Sequence, residues 1–188
     1  MVKTLVTPLS EEDVRSLKLG ETVYITGPVI TGRDEMHIRA LEYLKSGEDV
    51  PDDLKGATIY HCGPIMKCDD NGVWSVVAAG PTTSARMNKL EPDMIASFGI
   101  RAIIGKGGMS KKVAEAMKEH GCVYLAATGG AAISLAEGLS ECKGCEWLDL
   151  GMAEAMWRFN TKKLGPLIVA MDSCGNSLYE EVSSNLKR

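Results

Sequence analysis

Residues 100–129 read IRAIIGKGGMSKKVAEAMKEHGCVYLAATG, and the changes of rhythm along them decide the fold class. "IRAIIG" is a short apolar run ending in glycine, which reads as a buried strand. "SKKVAEAMKEHG" reads as a helix between Ser110 and Gly121. "CVYLAATG" returns to strand, and "GAAISLAEGLS" (130–140) returns to helix. Strands alternating with helices predict parallel strands with helices packed on them, an α/β domain.

The pattern extends in both directions. Downstream, "EWLDLG" (146–151) and "PLIVAMD" (166–172) read as late strands, and "CGN" as a turn into a last short strand, "SLYEEV" (177–182). Upstream, Ser10 with Asp13 three residues on marks a helix start. "ETVYITG" (21–27) alternates like a strand, and "TGRDEMHIRALEYLKSG" (31–47) predicts a helix from about Asp34 to near Gly47, with Thr31 or Gly32 at its mouth. "ATIYHCG" (57–63) and "VWSVVAAG" (73–80) are two further strands, with "CDDNG" between them as a hairpin-like return. "EPDMIASFG" (91–99) predicts a short helix with Pro92 in its first turn. There is no repeat at a fixed period, so residues 1–188 are expected to form one domain with a more β-rich first half.

Composition narrows the function. Apolar residues make up 45% of the 188, enough for a substantial core, and the net charge of −4 argues against a nucleic-acid binder. The first residues, "MVKTLVTPLSEED", lack the apolar stretch of a signal peptide, and no segment has the length of a membrane span. The six cysteines are therefore expected to be reduced thiols in the cytoplasm.

Polar residues gather where strands are expected to end: Thr31, Arg33, Asp34 and His37; His61 and Cys62; Thr82, Thr83, Ser84 and Arg86; and Lys106. In open α/β sheets, ligands sit beyond the carboxyl ends of the strands, so these loops are candidates to converge on one pocket. In "GKGGMS" the glycines let a ligand approach the backbone, Ser110 is placed to cap the next helix, and Lys106 adds a full charge. The plain alternative is a tight turn with a solvated lysine. Arg33 and Arg86 carry planar forks suited to carboxylates, so two arginines and a lysine suit a small molecule with two carboxylates. Arg33 has Asp34 and Glu35 beside it as ordinary partners, whereas Arg86 has no neighbouring acid before Glu91. Thr82 or Thr83 is placed to cap a helix after Gly80-Pro81, the commoner role for such a hydroxyl. His37 and His61 are each either structural or proton carriers. Cys142 and Cys145 in "CKGC" have metal-ligand spacing, without a second pair or nearby histidine to complete four ligands. Cys122 and Cys174 read as small apolar packing residues.

"TGRDEMH" (31–37), "GPTTSARM" (80–87) and "GKGGM" (105–109), in this order, together with the ending "GMAEAMWRF…PLIVAMDSCGNSLYEEV", resemble the β subunit of class I iron–sulfur fumarate hydratases and its relatives, the L-tartrate dehydratase β subunits. The resemblance covers nearly the whole chain and departs at Met36, where a small residue is expected. It implies a three-layer β/β/α swivelling domain with a mixed sheet and packed helices. It also implies a 4Fe–4S cluster held by a partner α subunit, in an α2β2 assembly, with no metal ligand on this chain. The groups it implies for a dicarboxylate substrate are Arg33, Thr82, Arg86 and Lys106, with Thr82 as base, aided by Arg86 and Lys106. His37, Asp34 and Thr83 are further candidates. The reaction implied interconverts malate with fumarate and water. Dehydration of L-tartrate is one alternative. A non-catalytic anion- or metal-binding module built on "CKGC" is another.

Overall fold

The computed structural model describes residues 2–128 and 132–186. In chain order the elements are β1 (Val2–Val6), α1 (Glu11–Arg15), β2 (Thr22–Thr31), α2 (Asp34–Ser46), β3 (Thr58–Tyr60), β4 (Ile65–Cys68), β5 (Trp74–Ala78), α3 (Glu91–Phe98), β6 (Ala102–Gly105), α4 (Lys111–His120), β7 (Val123–Ala126), α5 (Ala132–Glu137), β8 (Leu139–Glu146), β9 (Met156–Met171) and α6 (Leu178–Leu186). The run β6–α4–β7 is the one expected from residues 100–129. Gly130 and Ala131, the first residues of the next predicted helix, lie outside the described residues.

β1, β2, β3, β6 and β7 pair in parallel, in that order. The long β9 runs antiparallel and bonds to β2 along most of its length, then to β7 near its end. Strands β2, β3, β6, β7 and β9 therefore close on themselves, with β8 paired outside β9. The result is an α/β fold with a mixed sheet.

Alternation along each strand divides the core in two. From β6, Ala102 and Ile104 enter one apolar cluster while Ile103 enters the other. From β7, Val123 and Leu125 face the first cluster and Tyr124 the second. The second cluster is completed by Met36 and Ala40 of α2, Met94 and Ile95 of α3, and Val113 and Met117 of α4. Met36–Ala40 and Val113–Met117 are four residues apart, and Phe98 lies four and three residues beyond Met94 and Ile95, so one stripe per helix is buried. The first cluster takes Trp157 and Phe159 of β9, Met66 of the β4–β5 hairpin and Leu135 of α5.

Several expectations are corrected. "SLYEEV" is the start of α6, because Leu178 and Val182 stand one helical turn apart and Glu180 and Glu181 fall in the first turn, where acids are favoured. "EWLDLG" only ends β8; Trp147 then takes a left-handed conformation (φ 58°) and Leu148–Leu150 form a 3₁₀ turn. The strand is instead "LSECKGCE", completed by pairing with β9. "CDDNG" does turn a hairpin, but the strand before it is Ile65–Cys68, not "ATIYHCG". β1 is an element beyond those expected; its five residues find parallel partners on β2. "PLIVAMD" is only the last part of a strand of 16 residues.

Candidate active site

β2, β3 and β6 lie side by side in parallel, so Thr31, Tyr60 and Gly105 end at the same edge. The segment after Gly80 crosses that edge and is stitched to it by main-chain bonds. Thr82 N–H donates to the His61 carbonyl (2.7 Å), Lys106 N–H to the Thr82 carbonyl (3.4 Å), and Ser84 N–H to the Lys106 carbonyl (3.0 Å). Thr83 and Lys106 form an isolated parallel bridge, and Cys62 and Pro81 an antiparallel one. Gly107 and Gly108 carry Lys106 away from the strand at φ of 82° and 71°, values that favour glycine.

The arginines arrive from two sides. Arg33 precedes α2 and pairs through Nη2 with Glu154 Oε1 at 3.1 Å. Glu154 also accepts from the Glu35 main-chain N–H at 3.2 Å. Arg86 pairs with Asp34 through Nη2 (2.9 Å) and Nε (3.3 Å). Both pairings differ from what chain neighbours suggest. Arg33 takes a remote glutamate, and the acid beside Arg33 serves Arg86. Asp34 thereby links the β2 end to the "GPTTSARM" turn. Arg33, Asp34, Thr82, Thr83, Arg86 and Lys106 all come to one edge of the sheet, and His37 lies beneath them.

Two capping expectations are not met. Only a 3₁₀ turn, Ser84–Met87, follows Thr83, and the Thr83 side chain does not cap it. Ser110 occupies the cap position of α4 without a side-chain cap bond; its N–H donates to Asn88 Oδ1 at 2.8 Å. Met36, where the resemblance leads to a small residue being expected, is fully buried with its methyl group packed against Gly32.

Directly under the edge lies a group of charges with no access to solvent. His37, His61 and Glu91 are fully buried. Glu91 Oε2 stands 3.1 Å from His61 Nε2 and 3.3 Å from His37 Nε2. These approaches are oblique, so they are charge contacts rather than aligned hydrogen bonds. His37 Nδ1 lies 2.7 Å from the Arg33 carbonyl. His61 Nδ1 lies 2.9 Å from Ser84 Oγ, which accepts from Tyr124 O–H at 3.0 Å. Gly105 makes room for this chain, since a Cβ there would lie 2.0 Å from Ser84 Oγ. Sequence reasoning passed over Glu91, because an acid in a helix's first turn looks like an ordinary partner for the helix dipole.

The three groups set one another's charge. Burial acts to raise the Glu91 value, but the two imidazoles overcome it and hold the carboxyl down at about 2. Burial acts to lower His37, and the Glu91 charge, with the Arg33 carbonyl, raises it overall. Burial wins at His61, aided by the His37 charge, and holds it below the ordinary value. The signs give a pH dependence. Glu91 contributes stability that is complete above its ordinary 4.5 and is lost as pH falls towards about 2. His61 likewise costs stability once pH falls below the ordinary 6.5, where the unfolded chain takes up a proton that the fold resists. His37 contributes below 6.5 and loses its contribution as pH rises through its folded value. The urea midpoint is therefore expected to fall steadily as pH drops from about 6.5 to about 3, and Glu91→Gln should make that acid limb shallower. An unchanged limb in Glu91→Gln would contradict the charge assignment.

The cysteines stand apart from this edge or are blocked within it. Cys62 is buried, with its thiol pushed up to about 12 chiefly by burial. Cys122 is buried as expected, but Cys174 is exposed, in the turn anchored by Asp172. Cys142 and Cys145 lie half-buried on β8 opposite Phe159 and Trp157. Among the described residues, neither joins a group of three potential metal ligands. The one such group is His37, His61 and Glu91, whose ligand atoms lie within 4.8 Å of one another. No helix among the described residues is long and apolar enough to cross a membrane.

Fold and edge together define an α/β domain that gathers arginines, a lysine and hydroxyls at the carboxyl ends of parallel strands. The chain belongs to the fumarase C-terminus family, whose pattern it matches over residues 2–182. It is 49% identical over 179 residues to a Methanocaldococcus jannaschii protein provisionally named L(+)-tartrate dehydratase subunit beta, covering 95% of this chain and 91% of that one. A Geobacillus stearothermophilus protein, provisionally named class I fumarate hydratase, is 48% identical over 98% of this chain, which spans 35% of that longer protein. L(+)-tartrate dehydratase subunit beta of Escherichia coli K12 is 36% identical, over 96% of this chain and 88% of its own length.

Proposed function

We propose that this chain is the β-type part of a hydro-lyase that interconverts (S)-malate with fumarate and water, working with a partner α subunit. The observation that carries the reading is the meeting of Arg33, Arg86, Lys106 and Thr82 at one strand edge. Arg33 and Arg86 are each paired with a carboxylate, Glu154 and Asp34, that orients the guanidinium along the edge. Arginine and lysine would bind the two carboxylates and stabilise the negative charge that grows as the proton leaves the carbon beside one of them. Thr82 would take that proton. A threonine hydroxyl is a poor base alone, so the nearby cations must favour its alkoxide-like form.

We read the six thiols as standing outside any cluster. None of them joins a group of three ligands among the described residues, and Cys62 and Cys122 are buried. A 4Fe–4S cluster, in this reading, belongs to the α subunit and would supply the Lewis acid that accepts the hydroxyl leaving the neighbouring carbon; the assembly is α2β2 and cytoplasmic. The hairpin and α5 on one side of the sheet, with α2, α3 and α4 on the other, favour a three-layer β/β/α swivelling arrangement.

A second reading is L(+)-tartrate dehydration. Two relatives that align over nearly their whole length carry that name, and tartrate offers the same pair of carboxylates. Steady-state kinetics with malate, fumarate and tartrate, using the chain alone and combined with its α subunit, test both. The pure, iron-free chain is expected to be inert and the complex active. Fumarate hydration by the chain alone, or a complex inert to all three, would overturn the proposal.

A further inference from the structure

We propose that Glu91, His37 and His61 form a buried clamp that holds the two arginine-bearing loops in register, with Glu91 as its positioning residue. The contacts run to both halves of the edge. Through His37, Glu91 reaches the carbonyl of Arg33. Through His61 it reaches Ser84, inside the "GPTTSARM" turn, and the His61 carbonyl itself accepts from Thr82 N–H. One carboxylate oxygen thus joins the Arg33 side of the site to the Thr82 and Arg86 side, beneath the Asp34–Arg86 pair at the surface.

The contacts on each ring nitrogen assign the protons in this proposal. His37 Nδ1 faces a carbonyl, which can only accept, so it bears hydrogen. His37 Nε2 stands 3.3 Å from the Glu91 carboxylate, a charge contact that a proton on that nitrogen satisfies, so the proposal assigns this ring as an imidazolium. His61 Nε2 also faces Glu91 and carries the hydrogen there. Its Nδ1 can then accept from Ser84 O–H, whose oxygen is already bonded by Tyr124 O–H. His61 is therefore neutral, and the buried group holds one negative and one positive charge. An unbalanced charge at this depth would be far costlier. Other groups bear on the balance. Asp34 acts on both imidazoles, and Cys122 and Tyr124 lie within reach of the Glu91 charge. Asp34 is itself neutralised by Arg86.

A proton accounts for the cluster with three donors. Two histidines and a glutamate are also the protein ligands of a three-donor zinc site completed by water, so bound metal is the rival occupant that the test below decides.

Two measurements test the clamp, and only the second rests on the hydro-lyase reading. The chain has three histidines, so ring-nitrogen NMR of the whole chain resolves each one. At about pH 8, above the ordinary histidine midpoint of about 6.5, His37 is expected to be cationic and His61 neutral, and Glu91→Gln should discharge His37. A neutral His37 in the wild type overturns the proposal. So does one equivalent of bound metal per chain that Glu91→Gln removes. In the assembled enzyme, Glu91→Gln should lower kcat/KM by about a hundredfold per folded molecule, with kcat falling and KM rising together, the scale of a misplaced binding group. A value within twofold of wild type, whatever the loss of Tm, overturns positioning. Should Glu91→Gln not fold, Ser84→Ala cuts one arm of the clamp and should give a smaller loss in the same direction; an unchanged kcat/KM there counts against the proposal. If wild-type complex is inert to every substrate, the functional reading fails while the NMR result still decides the clamp.

Discussion

Thr82→Val in the assembled enzyme is expected to lower kcat by about a thousandfold while changing KM far less, the middle of the range for removing a general base. Valine has nearly the shape of threonine. The Thr82 main chain is held from both directions, by the His61 carbonyl and the Lys106 N–H, so the turn should keep its path. The substitution then reads the hydroxyl alone. Folding and subunit assembly should be unchanged. If KM rises and kcat stays, Thr82 is a binding group, and the base must be sought elsewhere along the edge.

Arg86→Ala should reduce kcat/KM by about 10²- to 10³-fold, near 3 kcal/mol, the scale of losing one preorganised donor. Its pair with Asp34 is a weak structural contact, because the Arg86 side chain is 51% exposed and such pairs contribute about 0–1 kcal/mol. Tm should therefore hardly move. A large kinetic loss beside a small thermal one separates a substrate grip from a structural tie. Arg86→Lys should recover only part of the loss, since an ammonium keeps the charge and gives up the fork. A kcat/KM within twofold of wild type in Arg86→Ala would remove Arg86 from the site.

Much of this was legible in the chain because it is written locally. Apolar runs capped by glycine gave β6 and β7, and helical spacing with Gly121 as a stop gave α4. The cations at strand ends stood out because an acidic chain had placed them beside glycines and hydroxyls. What stayed hidden depends on distant partners. β8 is a strand because β9 lies next to it; "ECKGC" has no alternation of its own to announce one. The Arg33–Glu154 and Asp34–Arg86 pairs join residues far apart in the chain, so chain neighbours suggested the wrong acids. Glu91 is the sharpest case. Its burial follows from where α3 packs, and nothing in "EPDM" tells a solvated glutamate from one enclosed by two imidazoles.

The closure of the sheet by β9 bears on how the protein is made. β2 and β7 each have partners on one edge from earlier strands, and their second edges find theirs only once residues 156–171 have left the ribosome. A nascent chain ending before Met156 carries two unsatisfied strand edges, the kind of surface that recruits foreign strands. Until β9 is made, the loops at the ends of β2 and β6 stand on a sheet that is still open.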